Sequence, residues 1–363
     1  PFELTASQKT SVQEILTDLS NTKPMNRLLQ GDVGSGKTVV AAIAALVAAK
    51  NGKQTAFMAP TEVLARQHYK TLTKTFEKLG VGIGLLTSGE ARSFYGVELE
   101  GKTTKPKILK DIADGKIGII IGTHAIISAG KDRVPVVFDD LALAIVDEQH
   151  RFGVEQRAAL VKQERNPGDE TTIHFLSMSA TPIPRTLSLT LFGDLDLSII
   201  NELPKGRKEI ITKIVAPANR TKAYQFVREQ VQQGRQIFVI CPRIEAAIEE
   251  ESEETTPKLK LWSDVKAVKE EFERLSKSIF PDLKLAMLHG KLKASEKSKI
   301  MADFVAGETN ILVSTSVIEV GVDVPNANIM IIEGADRFGL AQLYQFRGRV
   351  GRGEHQSYCL LFT

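Results

Sequence analysis

The octet Gly31-Asp32-Val33-Gly34-Ser35-Gly36-Lys37-Thr38 has glycines, a lysine and a hydroxyl at the spacing that wraps backbone amides around a chain of phosphates. In such a loop Gly31, Gly34, Ser35 and Gly36 present N–H groups and the following helix N-terminus adds its dipole. Lys37 reaches the outer phosphates, and the Thr38 hydroxyl ligates Mg²⁺. The octet stands after the apolar pair Leu28-Leu29 and before an Ala-rich helical stretch, a context that a plain Gly-rich helix cap does not require. A second constellation closes the apolar run Leu141 to Val146 with Asp147-Glu148-Gln149-His150. Two carboxylates at the end of a buried strand, in a chain with a phosphate loop, fit Mg²⁺ held by Asp147 and an attacking water polarised by Glu148. His150 fits a contact with the γ-phosphate side or with a facing lobe, against a plain surface histidine.

Further along, Gln345-Phe346-Arg347-Gly348-Arg349-Val350-Gly351-Arg352-Gly353 reads as helical, with Arg349 and Arg352 on one face. Two guanidinium groups there can reach a γ-phosphate as charge develops; supplied from a second lobe, they would be worth about a thousandfold in rate. A basic patch on a phosphate backbone is the alternative. Ser314-Thr315-Ser316 ends an apolar run and leads to Glu319-Val320-Gly321-Val322-Asp323-Val324-Pro325. The hydroxyls suit a nucleic-acid phosphate, and Gly321 and Asp323 a turn between phosphate and nucleic acid; a plain turn explains Gly321 and Pro325 equally well. Near the start, the Gln8 amide can read an adenine edge bidentately, yet Thr5 and Gln8 also have the spacing of a helix capping box. Pattern alone does not separate these two.

The elements that must position these groups follow from hydrophobic period. From Arg27 onward, short apolar runs (Gln54 to Ala59, Ile117 to Ile121, Leu141 to Val146, Ile173 to Ser177) alternate with helical segments, which predicts parallel strands with crossover helices. After Leu203-Pro204-Lys205-Gly206-Arg207 the pattern restarts, with runs at Ile210 to Val215, Gln236 to Cys241, Leu283 to Leu288, Ile311 to Ser314, Ile329 to Ile332 and Tyr358 to Phe362. The expected class is α/β, with two doubly wound parallel sheets over residues 1–206 and 207–363, whose ligands lie beyond the carboxyl ends of the strands. Glu249, Glu250, Glu251, Glu253 and Glu254 mark an acidic insertion at about 245–260, expected to be a mobile surface segment, with a partner-binding or regulatory flap as the alternative.

Bulk properties narrow the class. A length of 363 residues suggests two domains at about 150 residues each. Hydrophobic residues at 42% and charged residues at 25% match water-soluble globular chains rather than disordered or fibrous ones. The longest apolar stretch, Val39 to Ala49, falls short of the roughly 18 residues of a membrane span, so no membrane partner is expected. The chain opens on Pro1 with nothing like a signal peptide and is expected to be cut from something longer, with processing as the alternative. Cys241 and Cys359 sit in apolar runs, which argues for a reducing compartment and against a disulfide framework or thiolate metal site. With a net charge of +3, contacts to nucleic acid must come from local clusters.

These motifs, in this order along essentially the whole chain, resemble the superfamily-two helicases, and the sequence is most similar to their RecG-type bacterial DNA helicases. The marks are Asp147-Glu148-Gln149-His150 with Arg151-Phe152-Gly153-Val154, and Ser179-Ala180-Thr181-Pro182-Ile183-Pro184-Arg185-Thr186. Asp194-Leu195-Asp196, Leu288-His289-Gly290 and Phe338-Gly339-Leu340-Ala341-Gln342-Leu343 complete them. The resemblance implies two tandem RecA-like lobes with the ATP site in the cleft between them, and ATP and Mg²⁺ as cofactors. It places Gln8 on adenine, and Ser179 and Thr181, with His150 and Gln345, in coupling hydrolysis to movement. Ala59-Pro60-Thr61-Glu62, Gly122-Thr123-His124, Pro242-Arg243 and Thr315-Ser316 would face the DNA backbone without reading sequence, although each hydroxyl among them could merely cap a helix.

The expected activity is that of an ATP-dependent DNA translocase that remodels forked or branched DNA in recombination and repair. Arg349 and Arg352 would close the lobes on ATP, and hydrolysis would release them. The chain is expected to be a monomer in the bacterial cytoplasm, with a single-strand-binding protein as candidate partner. RecG-type proteins carry an N-terminal wedge and a C-terminal coupling element that this sequence lacks, so fork remodelling is expected to need more than these residues. The motor of a transcription-repair coupling factor shares the Arg-Phe-Gly-Val and Thr-Pro-Ile-Pro-Arg stretches, but Gln149 stands where that family resembles Asp-Glu-Glu-His. A nucleotide-dependent DNA-binding switch would not need Glu148, Arg349 and Arg352 together, and a metabolic phosphate-loop kinase would need a substrate pocket in place of the second lobe.

Overall fold

In the computed structural model, residues 3–96, 101–123, 126, 136–148, 173–180, 195–202, 208–242, 267–315, 324–351, 353 and 355–363 are described. The chain divides into two units, Pro1–Pro204 and Lys205–Thr363. Among the described residues, no helix is long and apolar enough to cross a membrane. The segment at about 245–260 lies outside the described residues.

The first unit begins with α1 (Ala6–Leu19), β1 (Asn26–Gly31), α2 (Lys37–Lys50), β2 (Gln54–Met58) and α3 (Glu62–Phe76). After β3 (Ile83–Leu86), β4 (Ala91–Phe94), β5 (Gly101–Lys102) and α4 (Lys105–Ala113) come β6 (Ile119–Gly122), β7 (Leu141–Val146), β8 (His174–Ser179) and β9 (Asp196–Ile200). The strand order is β5-β4-β3-β6-β2-β7-β8-β1-β9. Alternate residues of the central strands feed two cores, as a sheet covered on both faces requires. Phe57, Ile119, Ile121, Leu143 and Ile145 pack with α2 and α3, while Ala56, Met58, Ile120, Ala144 and Val146 pack with Ile108 and Ile112 of α4. The all-parallel expectation needs one correction: β4 runs antiparallel to β3, and β5 to β4, so a hairpin extends one edge.

α3 shows how sequence fixes a helix that matters to the site. Thr61 caps it by accepting from the Leu64 N–H at 3.3 Å, and Glu62 places negative charge in the first turn. Ala65, Tyr69, Leu72 and Phe76 then form the buried stripe, and His68 lies on it.

The second unit contains β10 (Ile211–Val215), α5 (Arg220–Gln232), β11 (Gln236–Ile240) and α6, residues 267–274, which runs into a π turn at Leu275–Ile279. It continues with β12 (Leu285–Leu288), α7 (Ala294–Val305), β13 (Ile311–Ser314), β14 (Ala327–Ile332), α8 (Leu340–Arg347) and β15 (Tyr358–Phe362). Its order is β10-β15-β14-β11-β13-β12, parallel throughout. Read from the other edge, this is the order β3-β6-β2-β7-β8-β1 of the first sheet, strand for strand in chain sequence.

The correspondence reaches side chains. Gln54 opens β2, and its buried amide donates to the Ile112 and Ile117 carbonyls, both at 2.8 Å, while its oxygen accepts from the Asp139 and Asp140 N–H groups at 2.7 and 3.0 Å. Gln236 opens β11, and its amide donates to the Phe304 and Thr309 carbonyls. In each unit one glutamine thus ties the end of a helix to the start of the adjoining strand. Gln54→Leu is expected to destabilise the first unit by about 3 kcal/mol or more, because buried backbone groups lose their partners. Gln236→Leu should destabilise the second unit less, and hydrogen–deuterium exchange, which reports on each unit separately, checks both.

Candidate active site

Parallel strands all end on one side, so the loops after β1, β2, β6, β7 and β8 collect there. That edge carries the phosphate loop, Pro60 to Glu62, Thr123, Asp147 with Glu148, and Ser179. Within the loop, Gly34 and Gly36 have φ of +79° and +93°, a backbone that glycine adopts without strain. A Cβ on Gly36 would lie 2.3 Å from Gln8 Nε2. Lys37 opens α2, and its buried ammonium donates to the Gly31 and Asp32 carbonyls at 2.6 and 2.9 Å. Thr38 follows in the first turn of α2, partly buried.

Gln8 takes one of the two roles that its pattern left open, the helix cap. Its Oε1 accepts from the Thr5 N–H at 3.0 Å while Thr5 Oγ1 accepts from the Gln8 N–H at 3.3 Å, which completes the capping box. Its Nε2 donates to the Ser35 carbonyl at 2.7 Å, so the cap of α1 is bonded to the phosphate loop. One lone pair and one hydrogen of the amide remain for a base edge.

Asp147 ends β7 and is only 9% exposed. Its own N–H donates to the Met58 carbonyl at 2.9 Å; its Oδ1 accepts from the Glu148 N–H at 3.0 Å, and His68 Nε2 lies 2.9 Å from its Oδ2. Burial pushes the carboxyl up, but the His68 hydrogen bond, the His68 and Lys37 charges and the Glu148 amide outweigh it and hold the group below the usual aspartate range. Asp147 is therefore an anion that the surrounding side chains keep charged. Glu148 has φ of +54°, the one positive value at a non-glycine residue among those described. Carboxylate and hydroxyl oxygens from Asp147 and Thr38 suit a hard cation. Among the described residues no group of three or more His, Cys, Asp or Glu side chains could hold a metal ion.

Other sequence-derived candidates are less open than backbone contacts would suggest. Thr61 is engaged as the α3 cap, and Glu62 bonds the Ser88 hydroxyl and pairs with Arg66 at 3.4 Å. Thr123 is buried, and its carbonyl accepts from the Ile126 N–H at 3.0 Å. Ser179 is fully buried at the end of β8. In the second unit Thr315 is 1% exposed, and Ser314 Oγ donates to its carbonyl at 2.9 Å. Gln345 is buried in α8, and the helical reading through Arg349 fails: α8 ends at Arg347, Gly348 caps it, and Gly351 turns the chain at φ +80°. Arg349 is buried just past that end. His124, His150, Thr181, Arg243, Ser316, Gly321, Asp323 and Arg352 lie outside the described residues.

With this geometry in hand, a DEAD/DEAH box helicase family model matches residues 5–190, and a helicase conserved C-terminal domain model matches residues 220–354. The chain belongs to the DEAD/DEAH box helicase family. It is 49% identical over 364 residues to the ATP-dependent DNA helicase RecG of Synechocystis sp., covering 100% of this chain and 40% of that protein. It is 48% identical over 363 residues to the RecG of Bacillus subtilis, covering 100% of this chain and 48% of that one. A solved structure of RecG bound to a three-way DNA junction superposes with a TM-score of 0.75 at 43% identity, covering 100% of this chain and 43% of that chain. The chain spans less than half the length of the relatives it matches. Its two α/β units are the tandem RecA-like lobes of these helicases.

Membership in the helicase family gives the phosphate loop, Asp147 and Glu148 a common setting, but it does not single out His68, which sequence reasoning missed. The available signal was a lone histidine on the apolar stripe of α3. The two halves of the Gln8 contact separate by mutation. Thr5→Ala removes the cap and the hydroxyl's contacts with Ser7 and Glu202 but leaves the Ser35 tie, and should cost about 1 kcal/mol of stability with ATP affinity near wild type. Gln8→Ala also cuts the tie to Ser35 and should lower ATP affinity, as isothermal titration calorimetry will show.

Proposed function

We propose that this chain is the ATP-hydrolysing motor of a RecG-type DNA helicase, acting on forked and branched DNA in recombination and repair. The observation that carries the reading is a phosphate loop and the buried Asp147 anion, with Glu148 beside it, at one edge of the first sheet. Similarity to RecG along the whole of this chain, which covers 40% of that protein, supports it.

The loop amides and the N-terminus of α2 receive the ATP phosphates, and Lys37 exchanges its carbonyl partners for phosphate oxygens. Thr38 and Asp147 would hold Mg²⁺, which when bound offsets the negative charge of the phosphate oxygens. Glu148 polarises the attacking water, Arg349 and Arg352 stabilise charge developing on the γ-phosphate, and Gln8 holds the base. Pro60, Thr61, Glu62, Thr123, His124, Arg243, Thr315 and Ser316 are assigned to the DNA backbone, and Gly321 and Asp323 to the turn between phosphate and DNA. His150, Ser179, Thr181 and Gln345 are assigned to coupling. Residues 1–206 and 207–363 act as the two motor lobes, in a monomer of the bacterial cytoplasm, with a single-strand-binding protein as candidate partner.

The test is steady-state ATP hydrolysis by the full chain without DNA and with single-stranded, duplex and three-way-junction DNA. Hydrolysis should rise several-fold with DNA and fall at least a hundredfold in Glu148→Gln, while that variant still binds ATP. Turnover indifferent both to DNA and to Glu148 would overturn the motor reading.

A further inference from the structure

The matching strand orders give three residues of the nucleotide edge a counterpart in the second unit. Asp147 is the first residue after β7, and Glu333 is the first after β14. Lys37 opens α2, and Arg220 opens α5. His68 lies on α3, between the second and third strands of its unit, and Arg274 lies on α6 in the corresponding connection. The counterparts converge as the originals do: Arg220 lies 3.0 Å from Glu333 Oε2, and Arg274 lies 3.4 Å from Glu333 Oε1. Arg274 is itself fixed by Glu271 and by the Tyr224 hydroxyl, to which it donates at 2.7 Å.

The chemistry of the two copies differs. In the second unit the carboxylate is closed by two guanidinium groups, which stay charged at any working pH. In the first unit those places hold a lysine bonded to backbone carbonyls and a histidine, which grips the carboxylate by one ring N–H. An ionised carboxylate only accepts, so the His68 nitrogen at 2.9 Å from Oδ2 is the donor. His68 is 5% exposed, with its ring 4.9 Å from that of Phe57, so it cannot swing into solvent without disturbing the core. Between this bond and the Glu148 N–H at 3.0 Å, both oxygens of Asp147 are fixed, and each keeps a lone pair for a cation.

We propose that His68 is a positioning residue for ATP hydrolysis, whose imidazole sets the rotation of the Asp147 carboxylate and thereby how tightly the chain holds the divalent cation that accompanies ATP. The inference rests on the ATPase reading above. Hydrogen-bond partners that orient a metal-binding group are commonly worth about 10–100-fold in metal affinity or activity.

The test uses the full chain with Mn²⁺ as a paramagnetic stand-in, its binding in the presence of a non-hydrolysable ATP analogue read by electron paramagnetic resonance. Nucleotide affinity in EDTA and kcat for ATP are measured beside it. His68→Leu keeps the bulk and removes the donor; it should weaken Mn²⁺ binding and lower kcat by about tenfold or more. Nucleotide affinity in EDTA should stay within about twofold of wild type, since the bond acts on the metal ligand and not on the phosphate loop. His68→Gln places an amide N–H near the position of Nε2 and should recover most of the Mn²⁺ affinity. His68→Asn, whose amide falls short, should not, and this polar pair decides the matter if the leucine variant fails to fold. Equal Mn²⁺ affinity in wild type and His68→Leu, or in the Gln and Asn variants, would overturn the positioning role while leaving the ATPase reading intact. A wild-type chain that neither binds Mn²⁺ with nucleotide nor hydrolyses ATP would instead overturn that reading, and the inference with it.

Discussion

A carboxylate taken out of water is tolerated only where donors and positive charge surround it, and Asp147 stands in that position at the carboxyl end of β7. Its surroundings come from four places in the chain: the Glu148 amide beside it, the strand β2 carbonyl that fixes its backbone, His68 from α3 and the Lys37 charge from α2. None of these is near its partner through sequence except Glu148. The parallel sheet brings them together, because β7 lies between β2 and β8 and all three strands deliver their carboxyl ends to one edge. The site is therefore a property of strand order before it is a property of any motif.

The second unit sets the same strand order around a different charge pattern. Its sheet repeats the arrangement and its glutamine ties one helix end in the same way. Where the first unit holds Asp147, it buries Glu333 among two arginines and a tyrosine. There burial and the nearby Glu271 raise the glutamate's pKa, against the arginines that lower it. Asp147 goes the other way: burial raises it, but the His68 hydrogen bond, the His68 and Lys37 charges and the Glu148 amide prevail.

How much of this was legible in the sequence follows from the range of the interactions. Strands buried on both faces, such as Leu141–Val146, Ile311–Ser314 and Tyr358–Phe362, read as continuous apolar runs and sit where the pattern put them. β14 begins two residues before its apolar run, because Asn328 is buried by donating to Gln230 Oε1 at 2.9 Å rather than by being apolar. The hairpin from β3 to β5 escaped notice since Gly84 breaks the run; that glycine leaves room for Ile108 and Ile117, whose side-chain atoms would lie 3.2 Å from a Cβ. The phosphate loop is a local motif and was visible outright. The end of α8 was misjudged although Gly348 and Gly351 both signal it. His68 could not be assigned by any local rule, since its partner is 79 residues away.

Glu148 joins the local and the distant parts of the site. Its left-handed backbone costs about 1–3 kcal/mol for a residue with a side chain, and a glycine would relieve that. Glycine would still supply the N–H that Asp147 Oδ1 accepts, so the holding of Asp147 alone gives no reason for a glutamate here. What glycine cannot supply is a second carboxylate one residue beyond the first. The strain is therefore best explained by the need for both groups at the end of β7: an amide turned back to fix one carboxylate and a side chain that carries the other.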